Sequence, residues 1–389
     1  MNDWVDEVRV AALKAIEPYL LVEYAQELIK NLYLISRLEY SRARGFGNIK
    51  ERTLSVLLNS SAEASLYEAL GHSDITIKRT CYKLYLQLSN INNSYKVLQN
   101  GVTNNDELVR LFCAKKLVEL PKDSSNLELL KKLKKDHFLS VRKEVIDALS
   151  KFDYKISKDL IYEFLVDKST TIRQSCRKLI IQIESEVPND YFCNYYVNFL
   201  KSNTSKDITG AIGGLGETGD KNHSEIITKF LNHSNAKVRK ASIKALFKLN
   251  PDDFIETFYH HLINDVGSVA KEAAIAISRS NSLILSERLL KIFDQVESTI
   301  SKLVVVWLIN ESLSKYDKLI ALLRVCKTKD EVVFEKCKYY LDLWLYNFNI
   351  GPTSATTWKL EIARDALRDV EERLDPDFCK RASFYLKDI

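Results

Sequence analysis

A helical stripe opened by an apolar residue recurs along this chain about every 31 residues, and that period constrains the fold more than any other feature. The openers are Val8, Ile49, Ile77, Val109, Val141, Ile172, Ile208, Val238, Val269, Ile300 and Val333, and from Ile77 onward the intervals are 32, 32, 31, 36, 30, 31, 31 and 33 residues. Four residues on stand Ala12, Thr53, Cys81, Cys113, Val145, Cys176, Ile212, Ser242, Ala273, Val304 and Cys337. Eight on stand Ile16, Leu57, Tyr85, Leu117, Leu149, Ile180, Gly216, Leu246, Ile277, Leu308 and Leu341. Positions i, i+4 and i+8 share one side of an α-helix, so each set predicts a helix with a buried seam. A period near 31 holds two short helices and two tight turns, and excludes a coiled coil or an α/β alternation.

Helices of about three turns cannot bury their apolar stripes alone, so each unit must stack on copies of itself. Such a stack grows by addition, and 389 residues then need no division into separate cores. The expected arrangement is N-terminal capping helices over 1–60, repeats over 61–350 and C-terminal capping helices over 351–389. Within the first cap, a helix over residues 3–16 should precede a long one from about Leu20 to Ala43. Within the last, a charged amphipathic helix should run from about Thr356 to Leu374, with a short one after Pro376. Only 11 glycines and 6 prolines occur, as a nearly all-helical chain requires. The longest apolar run, Leu303 to Ile309, is far too short to span a membrane. The chain opens Met-Asn-Asp-Trp and not with the basic-then-apolar pattern of a leader, so a cytoplasmic location is expected.

The clearest unit runs from Ile208 to Leu249. A small-residue helix ends near Gly216, a turn follows at Gly219-Asp220, then a helix with Ile226, Ile227, Phe230 and Leu231, and a second helix opens on Val238-Arg239. This stretch resembles the HEAT-like repeats of the phycobilisome-lyase type, whose signature is a glycine-aspartate turn, a helix, and a second helix beginning D-x-x-V-R-x-x-A. The resemblance implies an all-α, right-handed α-α superhelix of roughly ten helix pairs whose second helices line the concave surface. It covers the repeat units and carries no lyase activity.

A base directly follows the opener in seven of the eleven sets: Arg9, Lys50, Lys78, Arg110, Arg142, Arg173 and Arg239. In HEAT proteins such a base joins an aspartate–arginine ladder between neighbouring repeats. The matching acids here are Asp6, Asp74, Asp106, Asp136 and Asp167, and the pattern fades after Val269.

Other residues that invite chemistry have structural readings. Cys81, Cys113, Cys176 and Cys337 occupy one seam column, where free cysteine acts as a small buried hydrophobe, and Cys193, Cys326 and Cys379 lack ligand spacing. No histidine precedes a glutamate, so the His-Glu iron ligands of HEAT-repeat deoxyhypusine hydroxylases are absent. His260 and His261 point about 100° apart on a helix and are poorly placed to share a metal. Ile212-Gly213-Gly214-Leu215-Gly216 follows no strand and precedes no Gly-Lys, so its glycines are read as points of close helix approach. The loop Arg42–Asn48 holds two glycines around a phenylalanine beside two arginines. It is either a binding tip or a capping glycine with a buried phenylalanine. No cofactor, metal or catalytic residue is expected.

The functional signal lies two and six residues after the openers. These positions hold Arg79, Lys143, Lys240, Lys271 and Lys302, and Lys14, Lys83, Lys115, Lys178 and Lys244, against the acids Glu51, Asp147 and Glu335. Both positions share a helix face, and stacking would align the faces into a basic ridge. That ridge, represented by Arg79, Lys83, Lys115, Lys143, Lys178, Lys240, Lys244 and Lys271, is either an ordinary solvated face or a site for an acidic partner. The expected function is a non-catalytic scaffold that binds the acidic surface or segment of a protein, as an assembly protein or an immunity protein of bacterial type would. The alternative is a DNA-binding protein similar to HEAT-like alkylpurine glycosylases. Those need an aromatic residue and a catalytic aspartate in the groove. Trp307, at a seam position, and Asp147 are the available residues.

Overall fold

The computed structural model describes residues 6–37, 47–88, 91–184, 186–201, 208–350 and 355–387, and among them every regular element is helical. The chain forms two compact units, residues 1–165 with 171–185 and residues 166–170 with 186–389. The first unit opens with α1 (Asp6–Ile16), α2 (Ala25–Lys30), α3 (Leu32–Arg37) and α4 (Gly47–Leu57). Helix pairs follow: α5 (Glu63–Glu68) with α6 (Ile75–Leu88), α7 (Ile91–Gly101) with α8 (Glu107–Glu119), α9 (Ser124–Leu133) with α10 (Leu139–Leu149), and α11 (Tyr154–Glu163) with α12 (Thr170–Ile183). In the second unit α13 (Tyr191–Lys201) pairs with α14 (Ile208–Thr218), α15 (Ser224–Thr228) with α16 (Ala236–Leu249), and α17 (Ile255–Asn264) with α18 (Gly267–Arg279). Then α19 (Ser286–Gln295) pairs with α20 (Thr299–Ser312) and α21 (Lys315–Val325) with α22 (Glu331–Tyr346), before α23 (Thr357–Arg368) and α24 (Pro376–Tyr385). No helix among the described residues is long and apolar enough to cross a membrane.

Second helices pack on second helices: α6, α8 and α10 in the first unit, and α14, α16, α18, α20 and α22 in the second. The seam columns lie between these helices and their partners. Ile77, Val109, Val141, Ile172, Val238, Val269 and Val333 are buried, as are Cys81, Cys113, Cys176 and Cys337. Val8 is exposed, so α1 packs only through its later turns, where Leu13 and Ile16 are partly buried against Ile35 and Ile49.

The one interior correction is at Ile300, which is 63% exposed. Capping residues explain it. Asp106, Asn235 and Asp330 cap their helices three residues before Val109, Val238 and Val333. Ser298 caps α20 in the same way, accepting from the Ser301 N–H, and the cap sets the phase of the helix. Ser301, Val305 and Ile309 are buried beside the expected Val304 and Leu308, and with Ser301 as opener the interval from Val269 becomes 32 residues, as it then is to Val333.

The long helix expected from Leu20 to Ala43 is broken. Asn31 turns its side-chain amide back to the Glu27 carbonyl at 2.8 Å, and α2 and α3 are separate on either side of it. At the other end α23 stops at Arg368, a short turn covers Glu371–Arg373, and Asp375 caps α24. The glycines of α14 do admit neighbours. A Cβ on Gly214 would lie 2.3 Å from the Tyr196 ring, and one on Gly216 2.6 Å from the Ala245 Cβ.

Candidate interaction surface

Arginine and aspartate build the interior framework from which the exposed residues project. Arg110 clasps Asp136 of the next repeat through Nε and Nη2 at 2.5 and 2.9 Å. Its Nη1 donates to the carbonyls of Asn104 and Asn105 in its own turn, at 2.7 and 3.0 Å. Arg239 repeats the arrangement on Asp265 (2.8 and 2.5 Å) and on the carbonyls of His233 and Ser234 (2.7 and 3.0 Å). Arg142, itself buried, donates to the carbonyls of Asp136 and His137 at 2.7 and 3.3 Å. Each such side chain closes one turn, and Arg110 and Arg239 tie a repeat to its successor by a bidentate ion pair.

The aspartates answer with lowered pKa values. Burial pushes Asp106, Asp136 and Asp265 up, but their arginines and the backbone N–H groups at the helix starts outweigh it and hold all three below the usual carboxylate range. Asp265 and Asp330 are rungs that the sequence reading omitted. Thr299 donates to Asp330 at 2.6 Å, and that bond, with Lys302 nearby, lowers its pKa. Once Ser301 is the opener, Lys302 stands directly after it, in the rung position and not on the ridge. Asp74 caps its own helix through Thr76 and Ile77 N–H at 2.8 and 2.9 Å. The Asp6 side chain and residues 42–46 of the Arg42–Asn48 loop lie outside the described set.

The proposed ridge residues divide along the same line. Arg79 is half-buried and bound to Asp106 through Nε at 2.9 Å, so it belongs with the rungs. Lys83, Lys115, Lys143 and Lys178 are exposed on α6, α8, α10 and α12. In the second unit Lys240, Lys244 and Lys271 are exposed on α16 and α18. Lys240 lies 3.5 Å from Glu272. The other six have no ion pair among the described residues. The corrected phase of α20 also brings Trp307 to the position six after its opener, where it is half-buried at the surface and not in the seam.

Burial pushes the thiols of Cys81, Cys113 and Cys176 up to about 12, and the hydrogen bond with Cys326 raises Cys337 further. His261 is buried against Asp265 at 3.1 Å, whereas the His260 ring meets Asn264 at 3.2 Å, so the two serve different neighbours. No group of three or more His, Cys, Asp and Glu among the described residues is placed to hold a metal ion.

No protein-family model matches the chain, and no curated protein matches it. Solved structures do. The chain is similar to a microtubule-polymerase tumor overexpressed gene (TOG) domain array, studied for tubulin recruitment and assembly, at 12% identity and a TM-score of 0.32, over 95% of this chain and 97% of that one. It is similar to Kap121p bound to Pho4p at 12% identity and a TM-score of 0.38, over 98% of this chain and 52% of that one. Kap121p bound to Nup53p matches at 13% and 0.38, over 98% and 51%, so the chain spans about half the length of Kap121p. At such low identities and TM-scores, the HEAT-like repeat fold is assigned on this chain's own helix pairs and aspartate–arginine rungs.

Proposed function

We propose that this chain is a non-catalytic interaction scaffold that binds an acidic surface or segment of a protein partner through the exposed lysines of its second helices. The observation that carries this reading is the division of labour among the bases. The arginines at and beside the position after the opener are committed to rungs and turns, while Lys83, Lys115, Lys143, Lys178, Lys244 and Lys271 project into solvent with no ion pair among the described residues. A lysine with no structural duty is free to meet an opposite charge. Asp147, one of the acids on the ridge, is exposed.

The test uses a labelled polyglutamate peptide and a short DNA duplex, titrated across a salt series. Lys143→Glu, Lys244→Glu and Lys271→Glu combined should weaken peptide binding by about tenfold or more, roughly 1.4 kcal/mol. The melting temperature should hardly move, because surface substitutions of this kind change stability by about 0.5 kcal/mol or less. Peptide affinity unchanged in the triple variant would place the site elsewhere. Tighter binding to the duplex, with log affinity falling linearly with log salt, would favour the DNA reading.

A further inference from the structure

With Ser301 as the opener of α20, the exposed stripe of the second unit changes character from helix to helix. The stripe takes the residue before each opener and those two, six and ten after it. On α16 these are Lys237, Lys240, Lys244 and Lys248, all exposed. On α18 they are Ser268, Lys271, Ile275 and Arg279; on α20, Ile300, Leu303, Trp307 and Glu311; on α22, Val332, Glu335, Tyr339 and Leu343. The four helices pack in that order, so the stripes lie side by side. One end of the face is lysine and the other is aliphatic and aromatic.

We propose that this face is a single two-part site for a polypeptide segment that carries an acidic run followed by large apolar side chains. The proposal rests on the lysine reading above and adds to it the apolar half. Ile300, Val332 and Tyr339 are 63%, 60% and 55% exposed, with Leu303, Trp307 and Leu343 half-buried between them. A contiguous apolar patch of this kind, rimmed by charge, marks a contact surface. Its tryptophan and tyrosine are the residue types that dominate binding energy when covered. Packed helices lie about 10 Å apart, so α16 to α22 spans about 30 Å. Roughly nine residues of extended chain cover that distance.

The chemistry of the apolar end favours polypeptide over nucleic acid. Glu311 and Glu335 stand in the stripe beside Trp307 and Tyr339, where they would repel a phosphate backbone. The Lys336 ammonium already sits 4.4 Å from the centre of the Tyr339 ring, on which a base would have to stack. Ile300, Leu303, Val332 and Leu343 offer no ring at all. Leucine and phenylalanine side chains suit such a surface.

Three labelled peptides and a single-stranded oligonucleotide test the inference by fluorescence anisotropy on the full chain. One peptide is acidic only, one apolar only, and one joins the two parts. The joined peptide should bind about tenfold tighter than the acidic one. Ile300→Ser with Tyr339→Ser should reduce its affinity to that of the acidic peptide and leave acidic-peptide binding unchanged. Both positions are more than half exposed, and circular dichroism will show whether the variant keeps its fold. Equal affinity for the joined and acidic peptides would overturn the two-part site while the lysine reading stands. Failure of both to bind would overturn both. An oligonucleotide that binds more tightly than the joined peptide, and loses that affinity in Trp307→Ala, would replace the polypeptide with nucleic acid.

Discussion

In the first unit the exposed stripe mixes lysine with neutral and acidic residues. Lys83 is followed by Gln87, Lys115 lies between Leu111 and Glu119, Lys143 is followed by Asp147, and Lys178 lies between Gln174 and Gln182. In the second unit the same positions run from four lysines on α16 to Ile300, Leu303 and Trp307 on α20. Beneath these different stripes the framework is the same. Arg110 on Asp136 and Arg239 on Asp265 have matching geometry down to the pair of carbonyls under each Nη1. Seam and rung positions answer to packing, and the exposed stripe is where the two units differ.

If the two frameworks are equivalent, breaking one rung in each unit should have the same large effect. The Asp136 and Asp265 side chains are only 5% and 7% exposed, so neither can turn to water when its arginine is removed. Arg110→Ala and Arg239→Ala should each cost about 3 kcal/mol, read as loss of urea stability. A difference between them of more than about 2 kcal/mol would show that the rungs are not interchangeable.

How much of this was legible in the sequence follows from what each signal reports. Apolar period reports burial, so the helix pairs and most of the seam could be read directly. It is blind to helix phase where two candidates adjoin. Ile300 is more apolar than Ser301, yet the Ser298 cap turns Ser301 inward. The same error hid Lys302 from the rungs and Trp307 from the surface. Asp265 and Asp330 are hard to read from the sequence for another reason. A rung joins the base of one repeat to the acid of the next, and no base follows Val269 or Val333 to mark these two acids in their own repeats. Asn31 interrupts a run whose apolar spacing continues through Leu28, Leu32 and Ile35, so nothing in the spacing announces the break.

Acid should act on both units alike, with a smaller effect than a lost rung. Asp106 and Asp136 in the first unit and Asp265 in the second are held below the usual carboxylate range. An unfolded aspartate titrates near pH ~3.9, so around that pH the unfolded chain binds more protons than the folded one. The stabilisation is therefore complete above about pH 4 and is lost as pH falls through the depressed folded values. Urea midpoints should drop together in both units below about pH 4, and Arg110→Ala should flatten the drop in the first unit alone. A drop confined to one unit in the parent would separate the frameworks.

The smallest expected effect is chemical, and it compares the seams. Cys81, Cys113 and Cys176 in the first unit and Cys193, Cys326 and Cys337 in the second are buried, while Cys379 is half-buried. Burial pushes Cys81, Cys113 and Cys176 up to about 12, and hydrogen bonding with Cys326 together with burial raises Cys337. Since the thiolate is the nucleophile, brief alkylation near pH 8 should mark Cys379 first and leave the seam thiols for local opening to expose. Similar slow rates at Cys113 and Cys337 would mean seams of similar tightness. Rapid labelling of Cys113 alone would mean that the first unit's seam is the looser. Raised thiol pKa values also carry a sign at alkaline pH. Unfolded thiols ionise from about pH 8.5 and the buried ones do not, so stability is full below that pH and declines above it. Cys113→Ala should lessen that alkaline decline, at the expense of a small cavity beside Gly101, whose Cβ position lies 2.3 Å from the Cys113 sulfur.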